Sequence, residues 1–214
     1  GAIDPKAIAK LAKERGFPAI AICDRNGLYG SVAFAAGCRD NGIQPISGTF
    51  LGVSREDGGP IDALALFAKD EAGWRNLCHL VSRAQLERPL EVEPHVRLAD
   101  LTGHSDGLIA LTGAGEGALA RLFADGKPEA AADYCAKLEA LFPGRLYIEL
   151  ARRGQCIGFA HGGRQIECGR TANIRRDQRI HQRGARRMAQ HAQHLGLVVL
   201  VRADVARNEG IVLF

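Results

Sequence analysis

"GFPAIAICDRNGLYGSVAFAAGCRDNGIQPISG", from Gly16 to Gly48, holds the pattern on which the fold turns. The apolar run from Ala19 to Cys23 is too short for a helix and reads as a buried strand. It stops at a charged pair, Asp24-Arg25, followed by the turn dipeptide Asn26-Gly27. Leu28 to Asp40 reads as a helix closed by Asn41-Gly42. Ile43 to Ile46 is the next strand, leading into Ser47-Gly48, with Thr49 to Val53 as its continuation. Strand, helix, strand is the unit of a parallel α/β fold. Asp24 falls at the C-terminal end of the first strand, where such folds commonly place their chemistry.

The same alternation extends in both directions. Upstream, Asp4-Pro5 supplies an N-cap oxygen and a proline at the first helical position. Ile8, Leu11 and Ala12 follow at helical spacing up to Gly16. Downstream, residues 57–60 form a turn and Asp62 to Ala68 a buried strand. Ala72 to Leu86 is an amphipathic helix with Trp74, Leu77, Val81 and Ala84 on one face. Residues 88–94 are a loop and Leu108 to Leu111 a strand. Two helices follow at about 116–125 and 129–141, then a break at Phe142-Pro143-Gly144 and a strand from Arg145 to Leu150. This rhythm predicts a parallel sheet or barrel with helices outside, short of eight strands.

Of the 214 residues 46% are hydrophobic and 24% charged, the proportions of an ordinary globular protein. No run of 18 apolar residues suggests a membrane span, and the start lacks the order of a signal peptide, so a cytoplasmic chain with no membrane partner is expected. The six cysteines have no C-x-x-C spacing, which argues against a zinc knuckle or a disulfide framework and for reduced, mostly buried thiols. The net charge of +4 is unevenly spread: residues 1–154 sum to −2 and residues 155–214 to +6, the latter with ten Arg and no Lys. Beyond Gln155 the apolar period is lost, apart from a strand-like run at Leu195 to Val201.

The residues from Gly16 to Gly48 resemble the polymerase-and-histidinol-phosphatase (PHP) domain of bacterial DNA polymerase III alpha subunits. The pattern is a helix, G-x-P-A-x-A-x-x-D-x-x-x-L-x-G, a second helix, then G-I-x-P-I-x-G. "FAKDEAGWRNLCHLVSRA", "DGLIALTG" and "LFPGRLYIEL" continue it in order, so the resemblance covers about residues 1–153. It implies an α/β fold, a partial distorted (β/α)7 TIM-like barrel of the PHP type. In metal-binding members His, Asp, Glu and Cys side chains at strand ends hold divalent metals for phosphatase or 3′–5′ exonuclease chemistry. The resemblance further implies a fragment, truncated at both ends, of a DNA-directed DNA polymerase, a nucleotidyltransferase of replication. That parent would use Mg²⁺ in a palm region absent here. Its partners would be DNA, a proofreading exonuclease and a sliding clamp.

Within the resemblance Asp24 stands at the family's metal-linked Asp. The next position, commonly His, is Arg25; an acidic ligand is replaced by Phe50 and a Cys by Ala114. None of these three can coordinate a metal. The first His-x-His segment would precede Gly1. A degenerate metal site is therefore expected at Asp24, Arg25, Phe50 and Ala114, with no catalytic residue, no metal and no cofactor in this chain, and a structural role. Arg25 is expected as a buried replacement cation paired bidentately with Asp24, or else as a surface pair.

Other features weigh less. His79, His95 and His104 read as solvated or edge positions, and His181, His191 and His194 as a chance cluster. "TGAGEGALA" is a Gly-rich turn before a helix that lacks the Lys-Ser/Thr of a P-loop; its two readings are a plain turn and a phosphate cradle, the plain turn being favoured. Residues 154–214 are expected to be disordered or an out-of-frame reading of GC-rich DNA. The competing functions are a metal-dependent phosphoesterase or 3′–5′ exonuclease of the PHP superfamily, the error-prone relative of the same polymerase, and a basic nucleic-acid-binding module at 164–187.

Overall fold

A computed structural model describes residues 5–56, 59–152 and 198–203. The chain runs α1 (Pro5–Glu14), β1 (Ala19–Arg25), α2 (Ser31–Asn41), β2 (Gln44–Ser54), β3 (Ile61–Ala68), α3 (Glu71–Leu86) and β4 (Val96–Arg97). It continues with β5 (Leu108–Leu111), α4 (Ala118–Ala124), α5 (Pro128–Leu141), β6 (Leu146–Arg152) and β7 (Val198–Ala203). Short 3₁₀ turns at Leu98–Leu101 and Ala114–Glu116 precede β5 and α4. The strands form one sheet in the order β1-β2-β3-β5-β6-β7, with β4 paired to the end of β2.

The fold class is the expected α/β arrangement, but the strands are not all parallel. β3 runs antiparallel to both β2 and β5, whereas β1–β2, β5–β6 and β6–β7 are parallel. The reason is the connection. Only six residues separate Ser54 from Ile61, too few for a crossover helix to carry the chain back, and the two strands pair as a hairpin. As the sequence suggests, Thr49 to Val53 continues the strand through Ser47-Gly48, and β2 is unbroken from Gln44 to Ser54. Gly48 lies so close to β3 that a Cβ there would sit 2.4 Å from the Phe67 ring and 2.7 Å from the Leu66 carbonyl, so the glycine serves a close approach inside a strand rather than a turn.

The alternation of side chains along the strands sorts the interior into layers. Leu64 and Leu66 of β3, with Leu51 and Val53 of β2, face α3, α4 and α5 in the largest apolar cluster. Ile20 and Ile22 of β1 meet α1 and α2 around Phe34. The opposite face carries Ala21, Cys23, Phe50, Ala65, Phe67, Leu111 and Tyr147.

The apolar run expected at Leu195 to Val201 forms β7, displaced by a few residues, in register with β6 from Tyr147↔Val198 to Arg152↔Ala203. The rest of the segment expected to be disordered or out of frame lies outside the described residues, as do His181, His191 and His194. No helix among the described residues is long and apolar enough to cross a membrane.

Candidate functional site: the inner face at the end of β1

Strand register brings two of the four sequence-selected positions, Arg25 and Phe50, to one level. Arg25 pairs with Phe50 across β1–β2, Phe50 with Ala65 across β2–β3, and Ala65 with Leu111 across β3–β5. Ala114 follows three residues past Leu111, at the start of the 3₁₀ turn. Arg25 has the strand parity of Ala21 and Cys23 and so belongs to the inner face. Asp24 has the parity of Ile20 and Ile22, on the helix side.

That parity decides the first correction. The expected buried Asp24–Arg25 pair does not form, because consecutive side chains of a strand point to opposite faces. Asp24 Oδ2 instead accepts from the Gly30 N–H at 2.8 Å, tying the entry of α2 to the end of β1. The Arg25 side chain is 52% exposed. Its Nη2 meets Glu116 Oε2 at 2.5 Å, its Nη1 stands 3.8 Å from Glu93 Oε1, and its guanidinium lies 5.1 Å from the centre of the Phe50 ring. Arg25, Phe50 and the turn that begins at Ala114 thus form one cluster, a cation held by two carboxylates and one aromatic face.

The turn after β1 is fixed by bonds that the sequence did not announce. Asn26 is buried with φ 49°, and its Oδ1 accepts from the Gly52 N–H at 2.7 Å. Thr49 Oγ1 donates to the Asp24 carbonyl and accepts from the Gly27 N–H. Gln85 Nε2 donates to the Asn26 carbonyl from α3. The Asn-Gly dipeptide signalled the turn, and the left-handed tolerance of Asn was the clue to residue 26. Nothing local announced Glu93, Glu116 or Gln85.

The glycine-rich stretch is explained by packing. A Cβ on Gly113 would stand 2.2 Å from the Ala63 carbonyl oxygen, and one on Gly117 would stand 1.7 Å from that of Thr112. Gly113 and Ala114 both have positive φ, 74° and 46°.

The donor set does not suit a metal cluster. Arg25, Phe50 and Ala114 present a guanidinium, a phenyl ring and a methyl group, none of which has a lone pair to give. Among the described residues no three His, Cys, Asp or Glu side chains gather as a metal group. His79 and His104 do come together, stacked with ring centres 4.0 Å apart. Burial, with the nearby charges of His79 and Arg83, holds the His104 imidazole below its usual pKa. Cys38, Cys78 and Cys135 carry free thiols. Burial pushes the Cys38 and Cys78 thiols up, and takes Cys135 to about 11 with Glu139 adding to the effect.

A second ion cluster went unread in the sequence, which placed Asp62 at the start of a buried strand but did not reveal its partners. Asp62 lies in β3 and is 1% exposed. It accepts from Arg55 Nε at 2.7 Å and from Arg121 Nη1 at 3.1 Å. Burial nevertheless raises its pKa above the usual carboxylate value, against the pull of the two arginines.

Comparison with known proteins follows the same lines. The PHP domain family matches residues 1–153. A DNA polymerase III subunit alpha from Caulobacter vibrioides is 38% identical over 160 residues, which cover 72% of this chain and 14% of that protein. One from Pseudomonas aeruginosa is 33% identical over 162 residues, covering 75% of this chain and again 14% of the relative. The chain thus spans about one seventh of the length of these relatives. Among solved structures, an amidohydrolase from Chromobacterium violaceum aligns over 96% of this chain and 84% of its own, with a TM-score of 0.50 and 16% identity, a likeness of fold alone.

Proposed function

The chain belongs to the PHP domain family, and on that premise we propose that it is the PHP portion of a DNA polymerase III alpha subunit, acting there as a structural module and not as a hydrolase. The similarity to alpha subunits over 71–75% of the chain supports the parent. The observation that carries the structural role is Arg25. It lies on the inner face, where a metal would need a donor, and it is held by Glu116 and Glu93. Phosphoester hydrolysis of this type depends on metal ions that activate water and clamp the phosphate. A single carboxylate such as Asp24, already accepting from Gly30, supplies neither function.

The parent enzyme then carries out DNA-directed DNA synthesis, with Mg²⁺ serving its polymerase centre outside this chain. Its working partners are DNA, a proofreading exonuclease and a sliding clamp, and its place is the cytoplasm. The error-prone relative of the same polymerase and a free-standing PHP phosphoesterase are the alternatives, and no feature of the inner face favours either.

The test is an assay of the purified chain on 3′-labelled single-stranded DNA and p-nitrophenyl phosphate with Mn²⁺ or Mg²⁺, beside calorimetric titration with Zn²⁺ and Mn²⁺. No turnover and no micromolar metal binding are expected. Turnover lost in Asp24→Ala, or tight binding lost in Asp24→Asn, would overturn the structural role.

A further inference from the structure

The dipeptide Asn-Gly occurs twice in the chain, at Asn26-Gly27 after β1 and at Asn41-Gly42 where α2 ends. Asparagine is one of the thermolabile residues, most of all before glycine, whose missing side chain leaves its nitrogen free to approach. That nitrogen attacks the Asn Cγ. An N–Cγ bond forms, the Cγ–Nδ2 bond breaks, and the amide leaves as ammonia with the proton of the Gly nitrogen. Water then opens the cyclic imide at one of its two carbonyls, giving aspartate or the isomer linked through its side chain. Water is the sole co-reactant, and nothing is oxidised or reduced. The rate depends on how readily the Asn side chain and the Gly nitrogen can leave their partners and meet.

At Asn26 both are held, and by other elements. Asn26 is 4% exposed. Its Oδ1 accepts from the Gly52 N–H at 2.7 Å, and its carbonyl accepts from Gln85 Nε2 at 2.8 Å. The Gly27 N–H is turned away to Thr49 Oγ1 at 3.2 Å. These partners lie on β2 and α3. Closing the imide ring therefore means parting the turn from two packed elements and leaving the buried Gly52 N–H without its acceptor.

At Asn41 the restraints are local. Asn41 is the last residue of α2 and half-buried. Its Nδ2 donates to the Gly37 carbonyl at 2.8 Å, one turn back in the same helix. The Gly42 N–H donates to the Arg39 and Cys38 carbonyls, also of α2. Gly42 is exposed at φ 70°, with open space where a Cβ would stand. Unwinding the last turn of α2 frees both groups, and fraying at a helix end is among the least costly openings a fold allows.

We infer that Asn41-Gly42 is a site of spontaneous deamidation in the folded chain, and that the same dipeptide at Asn26 is kept intact by its place in the fold. The product bears on α2. A new carboxylate would stand beside Asp40 at the negative end of the helix dipole, and the donor to Gly37 would be gone. The isomer would also lengthen the main chain just before the buried Ile43. The test ages the full 214-residue chain in mildly alkaline buffer and follows both peptides by mass spectrometry. Asn41 should convert at least tenfold faster than Asn26 in the folded chain, and in guanidinium chloride the two rates should agree within threefold. Thr49→Val, which deprives the Gly27 N–H of its acceptor, should speed conversion at Asn26 severalfold and leave Asn41 unchanged. Gln85→Ala asks the same from α3, without touching the interior of β2. Equal rates in the folded chain, or a tenfold difference that persists in guanidinium chloride, overturns the inference. So does an Asn26 rate indifferent to both variants. The polymerase reading stands whichever way the rates fall.

Discussion

Two arginine–carboxylate clusters stand on opposite faces of the sheet, and each inverts the other. On the helix side one buried carboxylate, Asp62, serves two arginines, Arg55 and Arg121. On the inner face one half-exposed guanidinium, Arg25, serves two carboxylates, Glu93 and Glu116. The contacts are of similar length, but the surroundings differ. Asp62 is out of water, where losing its partners strands a charge. Arg25 is in water, where hydration replaces whatever it loses. The face that resembles an active site is therefore the one least invested in its charges, and its order resides in backbone locks such as Asn26.

The largest effect that could break this comparison comes from Arg55→Ala with Arg121→Ala. Stranding Asp62 should cost about 3–5 kcal/mol in urea unfolding at pH 7. The cost should shrink in acid. Asp62 has its folded pKa raised, so its favourable contribution is complete below the usual 3.8 and is lost as pH rises through the raised value. A double variant as stable as the parent at pH 7 would mean that burial does not set the weight of the cluster. Next comes Asn26→Ala, which removes the acceptor for the buried Gly52 N–H and the residue that tolerates φ 49°. The expected loss is about 1–3 kcal/mol. Smallest is Arg25→Ala, at about 0–1 kcal/mol. If Arg25→Ala proved costlier than Asn26→Ala, the inner face would depend on its ions after all.

Much of this was legible in the chain. β1, the helix after it and the long amphipathic α3 follow from apolar spacing, and Asp24 and Arg25 followed from where β1 ends, whereas only the resemblance marked Phe50 and Ala114. The antiparallel course of β3 was not legible, because side-chain alternation is the same in either direction. The partners of Arg25 lie 68 and 91 residues away at Glu93 and Glu116, and only the register of β1, β2, β3 and β5 brings the second of them near. Parity along β1 was available and would have separated Asp24 from Arg25. The ion cluster around Asp62 was hidden because Arg121 lies 59 residues further along the chain.

β2 pairs with β1 along Gln44–Phe50, with β3 along Gly48–Ser54 and with β4 at its tip. One strand is thus shared by three ladders, and the loops closed across the sheet differ in length. The β2–β3 hairpin closes the shortest loop, the return to β1 a longer one through α2, and the β6–β7 pairing, Tyr147 to Val198, the longest. Closure entropy grows with the length of chain enclosed, so the order of assembly is written into the ladder map. The hairpin should protect its amides from exchange earliest during refolding, β1 should dock onto that template, and β7 should arrive last, on an edge the earlier steps have already built.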